Sequence, residues 1–152
     1  MIPTKKEALN IVGIATRTSN TPGKADKDIP QLWNKFMMEN TLQRIPNKVD
    51  DTVYALYTNY EGDHTQPYTV VIGCNVDSFD NIPEDMTVIL IPESKYTQFM
   101  AKGDLTKDAV INTWMTIWGT DLNRTYTTDI EIYGEKAIDL TNGEAEILVA
   151  TA

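Results

Sequence analysis

Apolar residues along this chain recur at two spacings, and the points where one spacing replaces the other mark its elements. Residues 9–17 are an apolar run with Ile11, Val12, Ile14 and Ala15 and read as a strand; the Ser, Asn, Thr, Pro and Gly of 18–27 read as loop. Ile29, Leu32, Trp33, Phe36 and Met37 then fall at helical spacing. Asp28 as N-cap, Gln31 three residues on and Pro30 in the first turn predict a helix over 28–44, stopped by Pro46 and Asn47. Residues 52–60 and 68–77 alternate as strands, and the turn-rich 61–67 between them predicts a hairpin. A strand over 87–91, a break at 92–94 and a strand over 96–100 follow. Thr106 is placed to cap a second helix carrying Val110, Trp114, Ile117 and Trp118 on one side, with Gly119 as its stop. Strands at 128–133 and 144–150, joined through the turn signal Thr141-Asn142-Gly143, close the chain.

Written as elements, the chain is strand–helix–strand–strand, twice, over about 8–77 and 86–151. Trp33 answers Trp114. Tyr57 answers Tyr133, Ala55 answers Glu131, and 68–72 answers 144–148. Two such units about a pseudo-twofold axis predict an α+β fold: one curved antiparallel sheet, two helices and a central cleft, all in one domain over 1–152.

The strand Asp129-Ile130-Glu131-Ile132-Tyr133 holds the candidate chemistry. Its alternation sets Ile130 and Ile132 on one face and Glu131 with Tyr133 on the other. A carboxylate beside an aromatic on a rigid strand can receive a flat organic cation by charge pairing and cation–π attraction. A solvated amphipathic strand is the competing reading for Glu131. The repeat favours the anchor, because Glu131 is an unmatched acid between otherwise equivalent aromatic positions. Tyr57, Tyr133, Trp33 and Trp114 are expected to converge on the same groove, with Phe36 and Trp118 as further wall residues, although helical aromatic stripes also serve as plain core. Glu146 is the second candidate acid, and Met37 and Met38 could adapt to varied guests.

Twenty-two acids against 13 bases give a formal charge of −9, which excludes the basic stripe that phosphate recognition needs. An acidic field concentrates cations instead. The one cysteine, Cys74, sits in an apolar run and reads as core. His64, among Glu61 and Asp63, has no ligand framework around it and reads as solvated loop, so neither metal nor cofactor is expected. No apolar run is long enough to span a membrane and no signal region follows Met1, so the cytoplasm is the expected compartment.

The segments DIPQLW (28–33), YALYTNY (54–60), IPESKYTQF (91–99), IEIY (130–133) and AEILVA (145–150), in this order and spacing, resemble the GyrI-like small-molecule-binding superfamily, which includes the effector-binding domains of AraC-type and multidrug-responsive activators. The resemblance runs from about 9 to 151 and is greatest to stand-alone members carried by integron gene cassettes, which bind cationic drugs. It implies two strand–helix–strand–strand modules and a cleft acid, here Glu131, facing cationic amphiphiles. Pro92-Glu93-Ser94 departs from the family's usual Pro-Ala-Gly, and no helix-turn-helix precedes Leu9, so direct DNA binding is not expected of a chain of this extent. Two other readings stay open at this point. One is a hydrolase of electrophilic small molecules in which the cleft Glu activates water. The other is an interaction protein that acts on gyrase or on a separate regulator.

Overall fold

The computed structural model describes residues 2–63 and 65–152; His64 and the reading attached to it lie outside the described residues. The protein is α+β, with eight antiparallel strands in one sheet. The strands are β1 (Ile2–Lys6), β2 (Leu9–Thr18), β3 (Val53–Thr58), β4 (Tyr68–Asn75), β5 (Thr87–Ile91), β6 (Ser94–Gly103), β7 (Thr128–Tyr133) and β8 (Gly143–Ala150). Helices α1 (Ala25–Met38) and α2 (Thr41–Arg44) lie between β2 and β3, and α3 (Ala109–Trp118) between β6 and β7. The 3₁₀ turns Glu135–Ala137 and Leu140–Asn142 fill the last connection.

The strand order β1-β6-β8-β7-β3-β4-β2-β5 is the same read from either end once the halves are exchanged. Lengths match too: five residues in β1 and β5, ten in β2 and β6, six in β3 and β7, eight in β4 and β8. Each half is therefore strand–strand–helix–strand–strand, and its first strand crosses to the far edge of the other half. β1 pairs with β6 and β5 with β2. β1 has no counterpart in the sequence-based expectation, because Pro3, Lys5 and Lys6 give this edge strand no alternation to read.

The pseudo-twofold axis passes between Ala55 and Glu131, which face each other across β3 and β7. A twofold axis normal to an antiparallel pair must pass between opposed residues, so Tyr57 maps onto Tyr133 as expected. Propagated through the sheet register, the same axis maps Tyr68 onto Gly143 rather than onto Glu144. The expected equivalence of 68–72 with 144–148 is thus one residue out, which matters because a one-residue slip exchanges the two faces.

Helix boundaries also differ from expectation. The first helix begins at Ala25, a turn before Asp28, and ends at Met38, where Asn40 takes a left-handed φ of 52° and restarts the chain as α2. Thr106 does not cap α3: it bonds the Asp104 carboxylate in the preceding turn, and the helix starts at Ala109. Gly119 does stop α3.

Both helices pack on one face of the sheet. Leu32 and Phe36 of α1 join Val12, Ile14, Val70 and Ile72, while Trp114 and Ile117 of α3 join Phe99, Ala101 and Ile147. Among the described residues, none from a helix packs on the other face. Leu9, Ile11, Tyr54, Leu56, Ile91, Tyr96, Ile130 and Leu148 form one buried cluster drawn from both ends of the strand order, so the sheet curves until that face covers itself. Gly13 and Gly73 oppose each other where β2 meets β4. A Cβ on either would lie 2.0–2.1 Å from a backbone oxygen of the other strand, an approach that only glycine permits.

Candidate functional site

The period-two alternation of β7 turns Asp129, Glu131 and Tyr133 toward the helices and Ile130 and Ile132 toward the self-covered face. Between α1 and α3 that inner face forms the floor of a cavity of about 1350 Å³, larger than most small-molecule sites. Aromatic and aliphatic side chains supply most of its walls. Met37, Ile111, Trp118, Ile138 and Leu140 line it and are also exposed, so they belong to its mouth.

Glu131 lies at the centre of the floor with only 1% of its surface exposed. Three aromatic donors hold it: the Tyr57 hydroxyl donates to Oε2 at 2.6 Å, the Trp114 indole N–H to the same oxygen at 2.7 Å, and the Tyr133 hydroxyl to Oε1 at 2.6 Å. No Lys or Arg pairs with it among the described residues. Burial pushes its carboxyl above the ordinary glutamate value, and the three donors pull it back only in part. Burial and the nearby carboxylate hold the Tyr57 and Tyr133 phenols well above theirs, so both remain donors.

The pseudo-symmetry is visible in the rings. Trp33 meets Tyr133 edge-on at 5.1 Å, and Trp114 meets Tyr57 edge-on at 5.3 Å, so each helix tryptophan leans on the strand tyrosine of the other half. Phe36 is buried beside Trp33 and lines the cavity, and Trp118 lies 6.2 Å from Trp114 at the mouth. The structure therefore brings Glu131, Tyr133, Tyr57, Trp33, Trp114, Trp118 and Phe36 together. Glu146 does not join them. It sits opposite Ile132 and Met100 on the face turned away from the helices, since Ala145 and Ile147 take the inward positions of β8.

Sequence reading missed a second buried carboxylate. Asp129 is fully buried; its Oδ2 accepts from the Tyr60 hydroxyl at 2.5 Å and from Arg124 Nη2 at 2.8 Å, and its Oδ1 accepts from the Ala150 N–H at 2.9 Å. Burial raises its carboxyl, with Arg124 and then Tyr60 opposing. Arg124 also lies over the Tyr126 ring at 4.4 Å. Tyr60, Tyr68 and Arg124 line the same end of the cavity, where the Tyr68 hydroxyl donates to Asn20 at 2.5 Å and burial lifts its phenol to about 12. The alternation that turned Glu131 inward turns Asp129 inward as well; that was the available signal. Among the described residues no cluster of acids, His and Cys could hold a metal ion, and no helix is long and apolar enough to cross a membrane.

The family model for integron-associated effector-binding proteins matches residues 4–150. The chain belongs to this family. A curated relative from Bacillus subtilis (strain 168), named "Putative transcriptional regulator protein YobU", is 30% identical over 142 residues, covering 91% of this chain and 89% of the relative. Among solved structures, an integron cassette protein of Vibrio cholerae, VCH_CASS2, is 29% identical with a TM-score of 0.77 and covers 99% of this chain and 94% of that one. SAV2435, solved bound to tetraphenylphosphonium, superposes with a TM-score of 0.82 over 99% of this chain and 92% of that one; at 20% identity it bears on the fold alone. The expected GyrI-like, cassette-type effector domain is therefore correct at the level of family and fold.

Proposed function

We propose that this protein binds cationic aromatic small molecules in the cavity between α1 and α3, with Glu131 as the anchor. One observation carries the reading: Glu131 is a buried acid on the cavity floor, bonded only by aromatic donors, with no basic partner among the described residues. A buried carboxylate without a counter-charge is costly, and a guest that brings the positive charge relieves that cost. The donors add a second effect. A phenol or indole that hydrogen-bonds an anion becomes more electron-rich, so its ring attracts a cation more strongly. At about 6 Å and an effective dielectric near 20, the charge pair contributes roughly 3 kcal/mol. Flat aromatic walls in a large cavity admit guests of many shapes, so specificity is broad and set by charge more than by outline.

The test uses tryptophan-fluorescence titration with tetraphenylphosphonium and with neutral triphenylphosphine oxide. The parent protein is expected to prefer the cation, and Glu131→Gln to weaken cation binding at least about tenfold, about 1.4 kcal/mol, while leaving the neutral compound unaffected. Equal cation affinity in parent and variant would remove Glu131 from this role.

A further inference from the structure

The pseudo-twofold axis makes the two edges of the sheet equivalent, β1 beside β6 and β5 beside β2. Matching β2 to β6 end to end sets Val88 against Pro3 and Leu90 against Lys5. These are the positions that decide whether a further strand can add. Asn10 gives its carbonyl to the Val76 N–H beside β4, so its neighbours Leu9 and Ile11 turn their backbone polar groups to β5, where they oppose Ile91 and Ile89. Val88 and Leu90 therefore point their N–H and C=O groups away from the sheet, and these groups have no backbone partner among the described residues. Their side chains are exposed, Leu90 by 65%. On β1 the same two positions resist a further strand, one by a proline without an N–H and one by a lysine paired with Glu93 at 3.0 Å. β5 carries neither device: residues 87–91 read Thr-Val-Ile-Leu-Ile, without charge or proline.

We infer that β5 is a self-association edge, to which a second copy of this chain adds its own β5, antiparallel, about a twofold axis at Ile89. In that register each Val88 faces the other copy's Leu90, and their outward N–H and C=O groups satisfy one another reciprocally. The exposed valines and leucines cover each other as cross-strand pairs. Ile89 meets Ile89 and Thr87 meets Ile91, so no like charges are opposed within the strand. The acids flanking it are already neutralised inside each copy, Asp85 by Arg44 at 2.7 Å and Glu93 by Lys5. Five residues a side is a small contact beside the about 20–30 of a standard interface, so the dimer is weak and reversible. No residue of β2 or β5 lines the cavity, so the association leaves the cavity open and does not rest on the cation-binding reading.

Sedimentation velocity tests this on the parent protein from about 5 to about 500 µM, in salt high enough to screen the repulsion between two chains of charge −9. The parent is expected to pass from monomer toward dimer across that range. Leu90→Lys, at an exposed position that leaves the core intact, is expected to weaken the dimer at least about tenfold by opposing a charge to an apolar edge. Thr4→Lys, on the other edge, is expected to leave it unchanged. Ile89→Cys is expected to form a covalent dimer on mild oxidation, because the two thiols meet at the axis, while the parent, whose Cys74 is buried, forms none. A parent that stays monomeric throughout overturns the inference, as does a dimer that survives in a folded Leu90→Lys. A dimer without the Ile89→Cys cross-link overturns the twofold at Ile89. Should Leu90→Lys fail to fold, that cross-link decides.

Discussion

The two halves of the molecule share strand lengths, strand order and even the edge-on tryptophan–tyrosine pairs, yet they differ where they meet. On β3 the inward positions are Val53, Ala55 and Tyr57; on β7 they are Asp129, Glu131 and Tyr133. The tyrosine is kept and the two small apolar residues become acids. What the fold requires at these positions is inward direction and modest volume, which either set supplies. The buried charge is therefore an addition to the framework, and it costs stability that the framework must carry. One acid, Asp129, is given an arginine; the other, Glu131, is left to three aromatic donors. The contrast separates a carboxylate paired within the protein from the one that we propose meets a guest.

The contrast can be broken most forcefully at Arg124. Arg124→Met leaves Asp129 buried with Tyr60 and a backbone N–H but no counter-charge, and is expected to lower unfolding free energy by about 3–5 kcal/mol in urea denaturation. Adding Asp129→Asn, which makes that end resemble its Val53 counterpart, is expected to restore most of the loss; no restoration would mean that Arg124 acts by packing rather than by charge. A smaller effect distinguishes the paired tryptophans. Trp114→Phe removes a hydrogen bond to Glu131 and is expected to cost about 1–2 kcal/mol and to weaken cation binding several-fold. Trp33→Phe trims a ring that leans on Tyr133 and makes no hydrogen bond to Glu131, and is expected to alter cation affinity by less than about twofold; equal effects at the two sites would erase the distinction between the halves. The smallest effect is in pH. The folded-state pKa of Glu131 lies above its ordinary value of 4.5, so the native state takes up this proton before the unfolded chain does. As pH falls from neutral toward 4.5, the parent protein is expected to gain stability relative to Glu131→Gln, and cation affinity to decline as Glu131 is protonated. A parent-minus-variant stability difference that is flat in pH would show that the carboxyl is not shifted.

Much of this is legible in the sequence. The inward set of the last-but-one strand follows from its period of two, and the break in the repeat at Ala55 and Glu131 points to an acid that the structure buries on the cavity floor, because symmetry-related positions meet at the axis. Alternation also contained Asp129, but it could not say that a residue at the strand's first turn would be closed over by Arg124, which sits in the irregular segment between α3 and β7. Glu146 was misplaced because alternation gives two faces without naming the one that packs on helices.

Local pattern, then, determined the strands, the helical stripes, the pseudo-repeat and the chemistry of its odd member, since these depend on spacing along the backbone and on the polarity of each residue. Tertiary structure alone decided that β1 and β5 exchange places between the halves, that the outer face is buried by curvature, and that an arginine reaches one acid and not the other. Those outcomes arise from contacts between residues far apart in the chain, whose partners are chosen by the register of the whole sheet and by loop paths that no local spacing encodes.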